Sequence, residues 1–237
     1  MTEWLIKLKG SASDMRDLPS LFTSANLTVK EEDGEFYLTS LELNQLDNKE
    51  EVVTRTQQLL DIISAAATFH FERFTPLDIS DHIMIDENGV RREHLYLRGA
   101  TGLSHKWLGT FKEDGIFIPA NQSTDVDYLV RLSMRFDSVA KSLQLFREDT
   151  WVSLYKVYEI IRTGVGGEDK KIIKTKWTTD KILRRFKHTA QSHDVLGAEA
   201  RLHDSKRYPA PLVPMSKFEA HYFIKELLLN WIRTKRA

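Results

Sequence analysis

Three dipeptides, Asp33-Gly34, Asn88-Gly89 and Asp114-Gly115, each stand between two strand-like runs. Tight hairpin turns of type I′ need φ > 0 at both central residues, and Asp-Gly or Asn-Gly meets that need with little strain. After the third dipeptide these signals stop, and apolar residues recur at helical rather than alternating spacing. A chain that runs hairpins first and helices afterwards is confined to α+β architectures, because a doubly wound parallel sheet would alternate the two.

The elements follow in order. Residues 2–9 alternate, with Trp4, Ile6 and Leu8 on one face of a strand. Ser13–Phe22 reads as a short helix. Leu27–Glu32 and Glu35–Leu43 flank the first turn dipeptide, and Glu50–Phe69 is a helix with Val53, Thr56, Leu60, Ile63 and Ala67 at helical spacing. Ile83–Ile85 with Val90–Leu97, and Lys106–Phe111 with Ile116–Pro119, make the second and third hairpins. The expected fold is an N-terminal mixed, mainly antiparallel sheet with helices, followed by a C-terminal helical bundle. Pro119–Thr124 (PANQST) is the expected boundary, giving domains 1–120 and 121–237. Beyond it, Val126, Leu129, Val130, Ser133, Phe136, Val139, Ala140 and Leu143 predict one long helix. Further helices are expected over 150–162 and 179–192. Ser216-Lys-Phe-Glu219 is a capping box opening the last helix. Its expected buried stripe is Phe218, Tyr222, Leu227, Leu228 and Trp231.

Composition narrows the function classes. At 41% hydrophobic residues the chain can bury a sizeable core. It has no cysteine, which rules out disulfides, thiolate metal sites and cysteine nucleophiles and fits a cytoplasmic protein. No run of 18 apolar residues is present and MTEWLIKLKG has no apolar leader region, so neither a membrane span nor a signal peptide is expected. Net charge is zero, yet residues 1–100 carry 10 Lys and Arg against 18 Asp and Glu, and the remainder of the chain has the opposite excess of 8. A basic half attracts nucleic acid or another polyanion, and it attracts equally the acidic part of its own chain, of a second copy or of a protein partner.

The densest chemistry lies in Lys181–Asp204, which holds His188, His193 and His203 with Arg184, Arg185 and Arg201. On a helix, Lys181, Arg184, Arg185 and His188 fall at i, i+3, i+4 and i+7 and share one face. Such a stripe suits nucleic-acid binding by Lys181, Arg184 and Arg185, and it is equally the solvated side of an amphipathic helix. His188 with Arg184, and His203 with Arg201, are the candidate catalytic set. One imidazole would take the proton of a 2′-hydroxyl while arginine holds the phosphate. No metal is expected, since His188 and His193 are five apart and no HExxH motif exists. No cofactor is expected either. Thr163–Lys171 (TGVGGEDKK) lacks the strand before it and the Gly-Lys-Ser/Thr that a phosphate loop needs, and a hinge between helices accounts for its glycines.

The helical half, with its long helices, the segment LYKVYEII and an Arg/His cluster near the closing helices, resembles HEPN-like domains. That resemblance implies a small helical bundle, often dimeric, from prokaryotic defence or toxin systems and frequently a metal-independent RNase. The family hallmark is Arg, four to six residues, then His. Here three residues separate Arg184 from His188, seven separate Arg185 from His193, and one separates Arg201 from His203. Two readings therefore stand side by side. One is a non-catalytic binding or regulatory protein recognising a partner, ligand or nucleic acid in a defence context. The other is an RNase-like effector using the Arg/His set.

Overall fold

The computed structural model describes residues 3–24, 26–71, 74–85, 90–95, 125–201 and 210–236. The chain forms two compact units, Met1–Asp137 and Ser138–Ala237. The expected boundary at 120/121 and the third hairpin, at Asp114-Gly115, lie outside the described residues.

The first unit is built on a six-stranded antiparallel sheet in the order β2-β3-β4-β1-β5-β6. The strands are β1 (Glu3–Lys9), β2 (Thr23–Ser24), β3 (Leu27–Glu32), β4 (Glu35–Ser40), β5 (Asp78–Ile85) and β6 (Arg91–Leu95). The β3–β4 hairpin closes where Asp33-Gly34 predicts: Glu32 pairs with Glu35, and the turn residues sit at φ 54° and 79°. β5 and β6 pair across the Asn88-Gly89 segment, with Ile85 opposite Arg91. β1 lies centrally between β4 and β5, with a bulge after Lys7. Trp4, Leu5, Ile6 and Leu8 are all buried, and a consecutive run of that kind means both faces of this strand are covered. The Trp4 indole N–H donates to the Leu46 carbonyl at 3.1 Å, so its burial leaves no donor stranded.

Helix α1 (Ala12–Leu21) packs on β3, and α2 (Lys49–Phe71) packs on β5. Glu50 and Glu51 in the first turn of α2 suit the helix dipole. The Leu77 N–H donates to Ser64 Oγ at 3.0 Å, tying the entry of β5 to α2. Helix α3 (Asp125–Arg135) packs on α2 within this unit.

The expected long helix from Val126 to Leu143 is two helices. α3 ends at Arg135 and α4 (Asp137–Glu148) begins after Phe136. Asp137 and Ser138 are residues that compete for local backbone hydrogen bonds and favour helix starts over helix interiors. A single residue outside the helix leaves the apolar spacing nearly intact, so periodicity does not reveal the break.

The second unit is helical. α5 (Trp151–Gly164) starts at a capping box between Thr150 and Ser153 and contacts α6 (Asp169–Lys174), α7 (Asp180–Gln191) and α9 (Lys217–Arg233). A short turn of helix, α8 (His193–Leu196), follows α7. Leu154, Val157, Ile161, Phe186, Ile224, Leu228 and Trp231 form the core. α9 begins at the expected capping box of Ser216 and Glu219. Its buried side, however, is Ala220, Ile224, Leu227, Leu228, Trp231 and Ile232. Phe218 and Tyr222 are 80% and 59% exposed, against their expected place in the buried stripe. At 100° per residue these two point away from 220, 224, 227 and 231. α9 carries apolar residues on two sides, and only one of them packs.

Candidate functional site

Helix α5 presents Tyr155, Tyr158, Glu159 and Arg162 at i, i+3, i+4 and i+7 on one face, and the neighbouring helices close on that face in two tiers. In one tier, the Tyr158 hydroxyl donates to Asp169 at the start of α6, and Lys187 of α7 donates to the other carboxylate oxygen of Asp169. Arg162 lies 3.9 Å from the same carboxylate. Partial burial pushes the Asp169 carboxyl upward, but the hydrogen bonds from Lys187 and Tyr158 and the charges of Lys187 and Arg162 outweigh it, and the net shift is downward. The Tyr158 phenol is raised by burial and by donating to that carboxylate. In the second tier, Gln191 donates to the Tyr155 hydroxyl at 2.6 Å. Arg201 pairs with Glu159 at 2.9 Å and lies 4.4 Å over the Tyr155 ring. The Arg201 N–H also donates to the Ala190 carbonyl, which fixes this arginine to the end of α7.

The expected site residues are placed as follows. Arg185 makes a fork with both oxygens of Glu219 at 3.0 and 2.9 Å, and it also donates to the carbonyls of Val213 and Pro214. It is a clamp between α7 and the start of α9. Arg184 is exposed and pairs with Asp180 one turn earlier at 2.9 Å. Lys181 is exposed, and His188 is half-buried on α7. His203 lies outside the described residues. The three arginines thus end on three different carboxylates, Asp180, Glu219 and Glu159. Among the described residues no cluster of three or more His, Cys, Asp or Glu could hold a metal ion.

This pairing has an electrostatic result. Ser138–Ala237 carries 20 Lys and Arg against 11 Asp and Glu, net +9, and the first unit has the mirror charge of −9. Asp169, Glu159 and Glu219 are consumed by the cations that hold the bundle together. The excess is therefore left at the periphery. Lys170 and Lys174 of α6, Lys176 of the turn and Lys181 of α7 are exposed and have no ion-pair partner among the described residues. Sequence reasoning centred on arginine and histidine and missed Lys170, Lys174 and Lys176. The signal is the run DKKIIKTKW at 169–177, with four lysines in nine residues.

A second cluster ties α4 to α9. Asp149, in the left-handed region at φ 46°, accepts from Lys217 and from His221 Nδ1, the latter at 2.8 Å. Burial raises the Asp149 carboxyl, but the hydrogen bonds from Lys217 and His221 exceed that and lower it. The His221 ring packs on Phe146 at 4.5 Å. Among the described residues no helix is long and apolar enough to cross a membrane. No protein-family model, curated protein or solved structure matches the chain.

Proposed function

We propose that this chain is a non-catalytic binding protein that takes up a polyanion, nucleic acid first, along α6, the α6–α7 turn and the exposed side of α7. The observation that carries this reading is the set of exposed lysines, 170, 174, 176 and 181, standing beside arginines already neutralised by intramolecular carboxylates. Uncompensated cations on a rigid helical surface bind phosphate by releasing counterions, and they need no base-specific contact to do so. A nuclease built on the Arg/His set would need arginine fingers available to a scissile phosphate. Of the two arginines in that set, Arg201 is committed to Glu159 and Arg184 is paired with Asp180, and this favours binding over cleavage.

The test is a salt series of fluorescence anisotropy with labelled RNA and DNA, comparing the intact chain with the K174A/K176A/K181A triple variant. Each lost phosphate contact lowers the slope of log K against log salt by about 0.7–0.9. The triple variant is expected to lose roughly two units of slope at unchanged circular dichroism, since exposed lysines add little to stability. Parallel incubation with total RNA, with and without magnesium, is expected to leave the RNA intact. Equal slopes for the two proteins, or cleavage that His188→Ala removes, would overturn the reading.

A further inference from the structure

The lysine face leaves Trp177 unexplained. It stands in the turn between α6 and α7, partly exposed, with Lys176 immediately before it and Lys174 and Lys181 three and four residues to either side. Tyr155, Tyr158, Phe186 and Phe223 of the helical unit form one group of ring contacts. Trp177 has no ring contact among the described residues. Trp177 thus leaves part of its indole to solvent in a segment that carries three exposed lysines within four residues of it.

The turn is held rather than loose. Lys176 N–H donates to the Ile173 carbonyl at 3.0 Å and Thr175 Oγ1 donates to the Ile172 carbonyl at 2.6 Å. At the other end, Thr179 caps α7 by accepting from Ile182 N–H. Lys176 itself sits at φ 63°, a left-handed conformation that residues with a Cβ disfavour and that glycine would adopt without strain. Lys176 is exposed and directly precedes Trp177 in the chain. It is the residue just past the C-cap of α6, and its left-handed conformation with the bond to Ile173 is the common way a helix ends.

We infer that the α6–α7 turn is a contact for single-stranded nucleic acid, with one base stacked on the Trp177 indole and Lys174, Lys176 and Lys181 on the adjacent phosphates. This rests on the polyanion reading and narrows it. Lysines hold the phosphates of a duplex, a single strand or polyphosphate alike. An indole face finds a π partner only where a base is out of its own stack.

The experiment uses the intact chain with oligo-dT and oligo-U of about 20 nucleotides, longer than a site of ~16 nucleotides, a DNA duplex of equal length, and sodium polyphosphate as competitor. Trp177→Ala is expected to weaken single-strand binding about 5- to 150-fold, the contribution of one stacked base. Duplex and polyphosphate binding should be unchanged. Trp177→Phe should retain most of the single-strand affinity. If Trp177→Ala does not fold, the decision passes to fluorescence: oligo-dT quenches the intact chain, and Trp177→Phe loses that quenching. If affinity for single strands is insensitive to Trp177 while K174A/K176A/K181A weakens every probe, stacking is wrong and the polyanion reading stands. If the wild-type chain binds no probe, both fall.

Discussion

At the scale of the residue, Asp169 does the most for its size. One carboxylate receives the Tyr158 hydroxyl and the Lys187 ammonium and faces Arg162, so it joins α5, α6 and α7 at a single point. Its lowered pKa means that the folded state favours the charged form. The stability this contributes is present above the ordinary aspartate range, near ~3.9, and is lost as pH falls through the depressed folded value. Asp169→Asn is therefore expected to flatten the acid limb of a urea-midpoint against pH curve below about pH 4 and to lower the midpoint near neutrality. An unaltered acid limb would show that the cluster is not coupled to folding. None of this was visible beforehand, because Tyr158, Asp169 and Lys187 are 11 and 18 residues apart in sequence and meet only through packing. Arg185 and Glu219, separated by 34 positions, are the same case. Asp33-Gly34 is the opposite one: the turn depends on the φ of two adjacent residues, and the dipeptide announces it.

Elements show where periodicity informs and where it misleads. α7 was expected over 179–192 and runs over 180–191, because its caps and its polar stripe are both local signals. α9 lies where its capping box predicts, and Leu227, Leu228 and Trp231 of its expected stripe are buried, whereas Phe218 and Tyr222 are exposed although they form as good an i, i+4 pair as Ile224 and Leu228. The glycines after α5 were read as a hinge, yet Gly164 still belongs to the helix and serves a close approach. A Cβ added there would lie 2.6 Å from Nε1 of Trp231, whose side chain is buried in the core and accounts for about 3–5 kcal/mol against alanine. Gly164→Ala gains helix propensity of at most about 1 kcal/mol and forces an overpacking of about 1–3 kcal/mol. The expected net effect is a loss of about 1–2 kcal/mol in the urea unfolding of the helical unit. A more stable variant would mean that the indole has room to withdraw.

For the whole molecule, the decisive property is that neutrality is divided. The sum of zero conceals −9 on Met1–Asp137 and +9 on Ser138–Ala237, with an isoelectric point near 7.1. The sign of each half was legible from counting. Which cations remain uncompensated was not, because that depends on the carboxylates the folded bundle uses internally. The same division governs how copies of the chain treat one another in solution. With no net charge there is no long-range repulsion to keep them apart, and each copy offers both signs to the next. At roughly 10 mM salt the screening length is ~30 Å and such encounters are attractive; at physiological ionic strength it shrinks to ~8 Å. Light scattering near pH 7 should therefore fall as salt is added, the salting-in behaviour of a globulin. It should fall equally when pH is moved about a unit to either side. Turbidity that rises with salt instead would mark an apolar origin, for which exposed Phe218 and Tyr222 would be the first surface to examine. Dialysis into dilute buffer, a routine step before any nucleic-acid titration, is thus the condition under which this chain would collect onto itself and hide the lysine face from a probe.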